Sequence, residues 1–184
     1  MKKQNVCPVE KAQSLDNKVR KYLQNPRKLL APYIKNGMTV LDFGCGPGFF
    51  TLEIAKLLNG SGKVFAVDLQ QGMLNKVAEK IKGLSFEQTV VLHKCSAENI
   101  GLSEPIDMIL AFYVVHELPN KKAFFTEIKG LLKINGCLLI VEPKFHVTKS
   151  MFESMKNELI EIGYEIVEKP KIFFSRALLV KLKS

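Results

Sequence analysis

The chain has 184 residues, 47% of them hydrophobic, and a formal net charge of +9. That length and apolar content suit one domain with a substantial buried core and exclude an intrinsically disordered chain. The longest unbroken apolar run, Met108 to Val115, is far too short to cross a bilayer, so no membrane insertion is expected.

The start, Met1-Lys2-Lys3-Gln4-Asn5, is basic, but no apolar h-region follows it, which argues against a secretory signal. Cys7, Cys45, Cys95 and Cys137 are widely spaced, with no Cys-x-x-Cys and no nearby His pair. They read as reduced thiols of a cytoplasmic protein and give neither a metal site nor a disulfide framework. Lysines and arginines are scattered, with mild enrichment around Lys18 to Lys28 and Lys169 to Lys183. No arginine-rich tract or aromatic-interleaved basic strand marks a nucleic-acid surface. A solvated basic surface is the simpler reading, with an anionic substrate or RNA as alternatives.

Residues 14–33 read as a helical lead-in broken at Pro26, with Leu29, Leu30 and Tyr33 facing inward. Met38–Asp42 is a predicted strand, Phe49–Leu58 a helix, and Gly60-Ser61-Gly62 the turn after it. Lys63–Asp68 is the second strand. Gln71–Lys82 is a helix with Leu74, Val77, Ala78 and Ile81 on one face and Gly83 as its stop. Thr89–Lys94 and Ile106–Ala111 are strands three and four, with room for only a short helical turn between them. Asn120 is placed to cap a helix reaching about Lys133, stopped near Asn135-Gly136. Cys137–Glu142 is the fifth strand. Ser150-Met151-Phe152-Glu153 reads as a capping box opening a helix to Ile162, with Gly163 as its stop. Tyr164–Lys169 and Ile172–Leu182 have no helix between them and should pair as an antiparallel hairpin.

Repeated β-α units before a hairpin predict an α/β fold with a mostly parallel sheet, in one domain comprising a lead-in (residues 1–35) and a sheet core (36–184). Ligands of such sheets sit at the carboxyl ends of the strands.

The most informative run is Asp42-Phe43-Gly44-Cys45-Gly46-Pro47-Gly48, an acid ending a buried strand and then three alternating glycines before a helix. It brings backbone amides, a helix start and a carboxylate to one sheet edge. Asp68 ends the next apolar run, 20 residues after Gly48, where a carboxylate reaches the ribose of a nucleotide-like ligand. A dinucleotide fingerprint requires Gly or Ala at position 49, which here is Phe49, a ring that would obstruct a pyrophosphate.

In these residues, from about Met38 to Val141, the chain resembles the class I S-adenosylmethionine-dependent methyltransferases, and among them the small quinone-type C-methyltransferases. The resemblance implies a Rossmann-like seven-stranded sheet of order 3-2-1-4-5-7-6 with the last strand antiparallel. It implies S-adenosyl-L-methionine as cofactor and S-adenosyl-L-homocysteine as product; a small-molecule acceptor is the leading expectation, with RNA methylation through the basic surface or a non-catalytic cofactor-binding module as alternatives. It assigns Asp42 to the ligand's ammonium group and Asp68 to both ribose hydroxyls. Gly44 and Gly46, with Cys45 between them, clear space for the methionine moiety, and Gly48 lets the following helix pack close. Leu69, Gln70 and Met73 flank the adenosine. Cys95-Ser96-Ala97-Glu98 stands where the family has an Asp-Ala-Glu-like contact to adenine, so that Ser96, Ala97 and Glu98 line that end and Ser96 replaces the acid. Ala111 offers its carbonyl to the ammonium and Phe112 walls the methionine pocket. Tyr113, His116 and Glu117, with Glu142 and His146 after strand five, are the acceptor-pocket candidates, with His116 or His146 as a general base where the acceptor holds its proton. His93 reads as structural. An Asn/Asp-Pro-Pro-Tyr-like run, which amino-group base methyltransferases carry after strand four, is missing.

Overall fold

The computed structural model describes residues 24–183. The lead-in before Gln24, with Cys7, Tyr22 and the basic residues Lys18, Arg20 and Lys21, lies outside the described residues.

A short helix α1 (Pro26–Leu30) opens the described chain. Pro26 occupies its first turn, where a missing N–H costs nothing, and the Asn25 side chain accepts from Lys28 N. Pro26 therefore starts a helix where the sequence suggested a break. The elements that follow are β1 (Thr39–Phe43), α2 (Thr51–Leu58), β2 (Lys63–Asp68), α3 (Gln71–Ile81), β3 (Val90–Lys94) and β4 (Ile106–Phe112). The chain closes with α4 (Lys121–Leu131), β5 (Leu132–Pro143), α5 (Lys149–Ile162), β6 (Tyr164–Glu168) and β7 (Ser175–Leu182).

The seven strands form one sheet in the order β3-β2-β1-β4-β5-β7-β6. The first five are parallel, and β7 runs antiparallel to both β5 and β6. The order and the reversed last strand are those the resemblance implied. Because successive side chains of a strand alternate faces, Leu41 and Phe43 join one core and Val40 the other. The first core packs Phe124, Phe125 and Ile128 of α4 with Phe152 and Met155 of α5. The second packs Leu30 of α1 with Ile54 and Leu58 of α2. A smaller cluster seats Leu74, Val77 and Ile81 of α3 against Ala66 of β2.

Three expected boundaries are corrected. β5 begins at Leu132, not Cys137, because Leu132 already pairs with Ile106 before the register shifts and Cys137 meets Met108. The helix before it ends at Leu131, short of Asn135-Gly136. The cap of α5 is Thr148, whose side chain accepts from Met151 N at 3.2 Å, so Ser150 lies inside the helix and makes no capping box. Gly163, with φ +104°, ends α5 as expected.

His93 meets the Ile100 carbonyl at 2.7 Å, tying edge strand β3 to the following loop, a structural role. Cys45, Cys95 and Cys137 are free. Burial pushes the Cys45 thiol well above its ordinary value, helped by Asp42 and Asp68, and the Cys95 thiol up to about 11. Thiols so raised are protonated and inert at neutral pH. Among the described residues, no helix is long and apolar enough to cross a membrane.

Candidate functional site

After Phe43 the chain folds over the end of β2. Gly44 N and Cys45 N both donate to the Val67 carbonyl, at 2.9 and 3.0 Å. Gly48 N then donates to Cys45 O and closes a turn, and α2 starts at Thr51. Two carboxylates secure this loop. Asp42, 2% exposed, accepts from the Thr51 hydroxyl at 2.6 Å, which fixes the first turn of α2 to β1. Asp68, also buried, accepts from Gly46 N at 2.9 Å on one oxygen and from Gln70 N at 2.8 Å on the other. Burial raises the Asp68 carboxyl above its usual range, against the pull of the Gln70, Gly46 and Leu69 amides.

Gly44 and Gly46 have different reasons to lack a side chain. A Cβ on Gly44 would lie 2.5 Å from Val114 Cγ2, so the residue makes room for the segment after β4. A Cβ on Gly46 would meet nothing within 4 Å and would project into open space. Both glycines line the first hollow, and at Gly46 the backbone stands open to it. Gly48 packs beneath Leu52 and Val77, in line with its expected part in close helix packing.

Two hollows flank the loop. The first, about 720 Å³, is walled by Phe49, Phe50, Phe112 and Tyr113 and also lined by Asp42, Cys45, Gly46, Gln70 and Met73. The second, about 470 Å³, is lined by Phe43, Leu69, Cys95, Ser96, Ala97, Leu118 and Pro119. Gly44, Asp68, Val114 and Glu117 belong to both, so the two form one cleft with Asp68 at its waist. Three carboxylates, Asp42, Asp68 and Glu117, line the first hollow of a chain whose net charge is +9. Burial raises Glu117 as well; Glu142 and Asp68 add to the rise, and His116 opposes it.

Most of the residues named from the sequence thus come together. Glu98 borders a neighbouring hollow with Ser96 and Ala97 instead. Ala111 is fully buried within β4 and reaches neither side of the cleft. The Ser96 hydroxyl accepts from Glu98 N and Asn99 N and donates to Asn99 O, so it shapes its own turn. Tyr113 lines the first hollow with φ +60°, an uncommon backbone for a bulky residue. Its hydroxyl lies 2.6 Å from both Ser175 Oγ and Gln24 Nε2.

His116 and His146 line neither hollow. His116 Nδ1 sits 2.5 Å from Glu142 Oε2, and its ring stacks on exposed His146 at 5.3 Å. This pair clamps the turn Val115–Glu117 onto the end of β5, and so holds Val114 and Glu117 in the cleft. The second Glu142 oxygen is buried with no hydrogen-bond partner among the described residues. Sequence reasoning missed Val114, Leu118 and Pro119. Their one signal was position, just past the end of a central strand, because their side chains are ordinary apolar ones.

A seven-stranded sheet with this order, bearing an acid-lined cleft at the carboxyl ends of β1, β2 and β4, defines a class, and the family model for a methyltransferase domain matches residues 34–171. The chain belongs to that methyltransferase-domain family. It is 26% identical to the demethylmenaquinone methyltransferase of Lactobacillus johnsonii over 133 residues, covering 72% of this chain and 51% of that protein. It is 31% identical to the malonyl-[acyl-carrier protein] O-methyltransferase of Legionella pneumophila over 100 residues, covering 54% of this chain and 34% of that one. The crystal structure of an S-adenosylmethionine-dependent methyltransferase from Aquifex aeolicus superposes with TM-score 0.87 at 26% identity, covering 96% of this chain and all of that one. The chain spans about half the length, or less, of these two curated relatives.

Proposed function

We propose that this chain transfers the methyl group of S-adenosylmethionine to a small, largely apolar acceptor. The observation that carries the reading is the set of three carboxylates lining one hollow in an otherwise basic protein. Such a hollow favours a ligand bearing positive charge and opposes a pyrophosphate. S-adenosylmethionine has two cationic groups, a sulfonium and an ammonium, joined to a ribose and an adenine. When bound, it supplies a methyl group already activated by the positive sulfur.

The residues divide the work. The position of Asp68 on both hollows supports its assignment to the ribose hydroxyls, and the open space at Gly46 supports close approach of the ligand to the backbone. Leu69, Ser96, Ala97 and Leu118 make the less polar side, suited to adenine. Asp42 and Glu117 supply negative charge to the other side. There Phe50 and Phe112 stand with ring centroids 4.3 Å apart, and Phe112 and Tyr113 4.4 Å apart, giving aromatic faces that attract a cation and pack against a flat acceptor. Alignment of donor and acceptor is the main contribution such a site makes, an effect of up to about 7–11 kcal/mol. Of the acceptor-pocket candidates, Tyr113 and Glu117 line the hollow. His116, held by Glu142, acts as a positioning residue for Val114 and Glu117.

The Lactobacillus johnsonii relative is named for action on demethylmenaquinone, which favours a ring-bearing apolar acceptor over a polymer. The test is incubation of the purified chain with methyl-labelled S-adenosylmethionine and fractionated cell extract. Label in the lipid-soluble small-molecule fraction is the expected result. Label confined to RNA or protein would overturn the acceptor class, and absence of both cofactor binding and label would overturn the reading itself.

A further inference from the structure

Phe145, Phe173 and Phe174 are 71%, 52% and 62% exposed on two adjoining segments, and the Phe145 ring lies 4.8 Å from that of His146. The turn after β5 and the segment before β7 abut, with Lys144 N donating to the Phe174 carbonyl at 3.1 Å where Pro143 pairs with Ser175. The rings of Phe173 and Phe174 are 4.8 Å apart. Beside them Lys144, Lys149, Lys169, Lys171 and Arg176 line a hollow of about 930 Å³ with Glu153 as its one acid. Glu153 is itself paired with Lys156, and no ion pair among the described residues engages any of the five cations.

Exposed aromatic rings gathered on adjoining segments have a cost in water and mark a surface with a partner. That partner must be apolar where it meets the rings and negative around them. A second copy of this chain fails the second condition, because the same face on each copy would set five cations against five. RNA meets it, yet the rings sit at loop ends outside the cationic hollow, not along it as a base-stacking platform requires. A bilayer surface with anionic headgroups meets both conditions, taking aromatic rings at the headgroup boundary and lysines among the phosphates.

We propose that this face docks the protein peripherally on an anionic lipid bilayer. It adjoins the cleft: Ser175, next after Phe174, hydrogen-bonds the Tyr113 hydroxyl, and Tyr113 lines the first hollow. Docking therefore brings the acceptor side of the cleft to the membrane, where an apolar acceptor dissolves. That delivery role rests on the methyl-transfer reading; the docking does not.

Vesicle binding tests it without any turnover. The full chain is sedimented with vesicles of phosphatidylcholine alone and with vesicles containing roughly one third phosphatidylglycerol, a composition that gives the surface a negative potential. Binding is expected only to the anionic vesicles, weakening as salt shortens the Debye length below about 10 Å. Each lysine replaced by Gln should cost on the order of fivefold in partitioning. The combined Phe145→Ser, Phe173→Ser and Phe174→Ser variant should lose more than about tenfold while keeping its circular dichroism and cofactor affinity. The chain has no tryptophan, so Phe174→Trp gives a sole reporter whose emission should shift blue on anionic vesicles. Equal binding to neutral vesicles, no binding, or binding indifferent to the triple variant would overturn the proposal. So would a dimer in solution that the triple variant dissociates, or RNA binding through these residues without vesicle binding. If docking holds and no label is transferred, the methyl-transfer reading fails alone.

Discussion

Asp68 at the end of β2 accepts the backbone N–H of Gly46, the middle glycine of the loop after β1, at 2.9 Å. The two most conspicuous signals in the sequence are thus one device: the carboxylate proposed to hold a sugar also holds the loop against which that sugar would lie. Loss of Asp68 should loosen both.

Replacing Asp68 by Ala should weaken S-adenosylmethionine binding by about 10- to 150-fold, the equivalent of 1.5–3 kcal/mol for hydrogen bonds to a charged acceptor. The domain should stay folded, since Gly44 and Cys45 keep their own bonds to Val67. Titration calorimetry with circular dichroism checks both halves; unchanged affinity would remove Asp68 from the site.

The raised Asp68 carboxyl sets a pH dependence. A folded-state pKa above the unfolded one gives a stabilising contribution that is complete below the unfolded pKa and is lost as pH rises through the folded one. Donors from a bound ligand act in the opposite sense, by favouring the ionised form. Thermal stabilisation by S-adenosylmethionine should therefore be largest at neutral pH and shrink on acidification, beginning above the ordinary carboxylate range. Glu117, raised as well, should widen that window. Melting curves with and without ligand across acid to neutral pH decide it, and a pH-independent ligand shift would count against the assignment.

Gly44 and Gly46 should part company under substitution. Gly44→Ala forces a methyl against Val114 at φ +69° and should destabilise the fold by about 1–3 kcal/mol, partly restored by Val114→Ala. Gly46→Val directs its side chain to open space at φ +52°, so it should abolish cofactor binding, with a stability cost that comes from backbone strain and that no change at Val114 relieves. Denaturant melts and calorimetry on both variants separate the effects; retained binding in Gly46→Val would mean the ligand lies elsewhere.

The His116–Glu142 pair should be strongly coupled. His116→Ala removes the hydrogen-bond partner of Glu142, whose other oxygen is already unpartnered, and should cost about 1–3 kcal/mol. Adding Glu142→Leu should recover much of that loss, which a double-mutant cycle measures. A positioning role further predicts that the KM for S-adenosylmethionine rises in His116→Ala through displaced Val114 and Glu117. A fall in kcat with KM unchanged would instead favour direct proton transfer by His116.

The sheet was legible because each element wrote a local pattern. Lys63–Asp68 and Tyr164–Glu168 alternate or run apolar between turn residues, and Gly163 ends α5 by its own geometry. Thr148 was overlooked as a cap because Ser150 and Glu153 imitate a capping box, and a single Met151 N–H settles the matter only in space. The sequence pattern gives a short β5 because Lys133, Asn135 and Gly136 interrupt the apolar run where the ladder shifts register, while the pairing of Leu132 with Ile106 spans a distance no window sees.

By itself the sequence determined the acid, the glycine spacing and the second acid, since a buried strand end, a backbone turn and a carboxylate are properties of a few neighbouring residues. Only the tertiary structure decided which groups share a cleft. Crossover connections bring the ends of β1, β2 and β4 together. Val114 and Leu118 enter the cleft, Gly44 is committed to packing, and His116, stacked on His146, pairs with Glu142 behind the wall. Such choices depend on contacts between residues far apart in the chain, which local spacing does not encode.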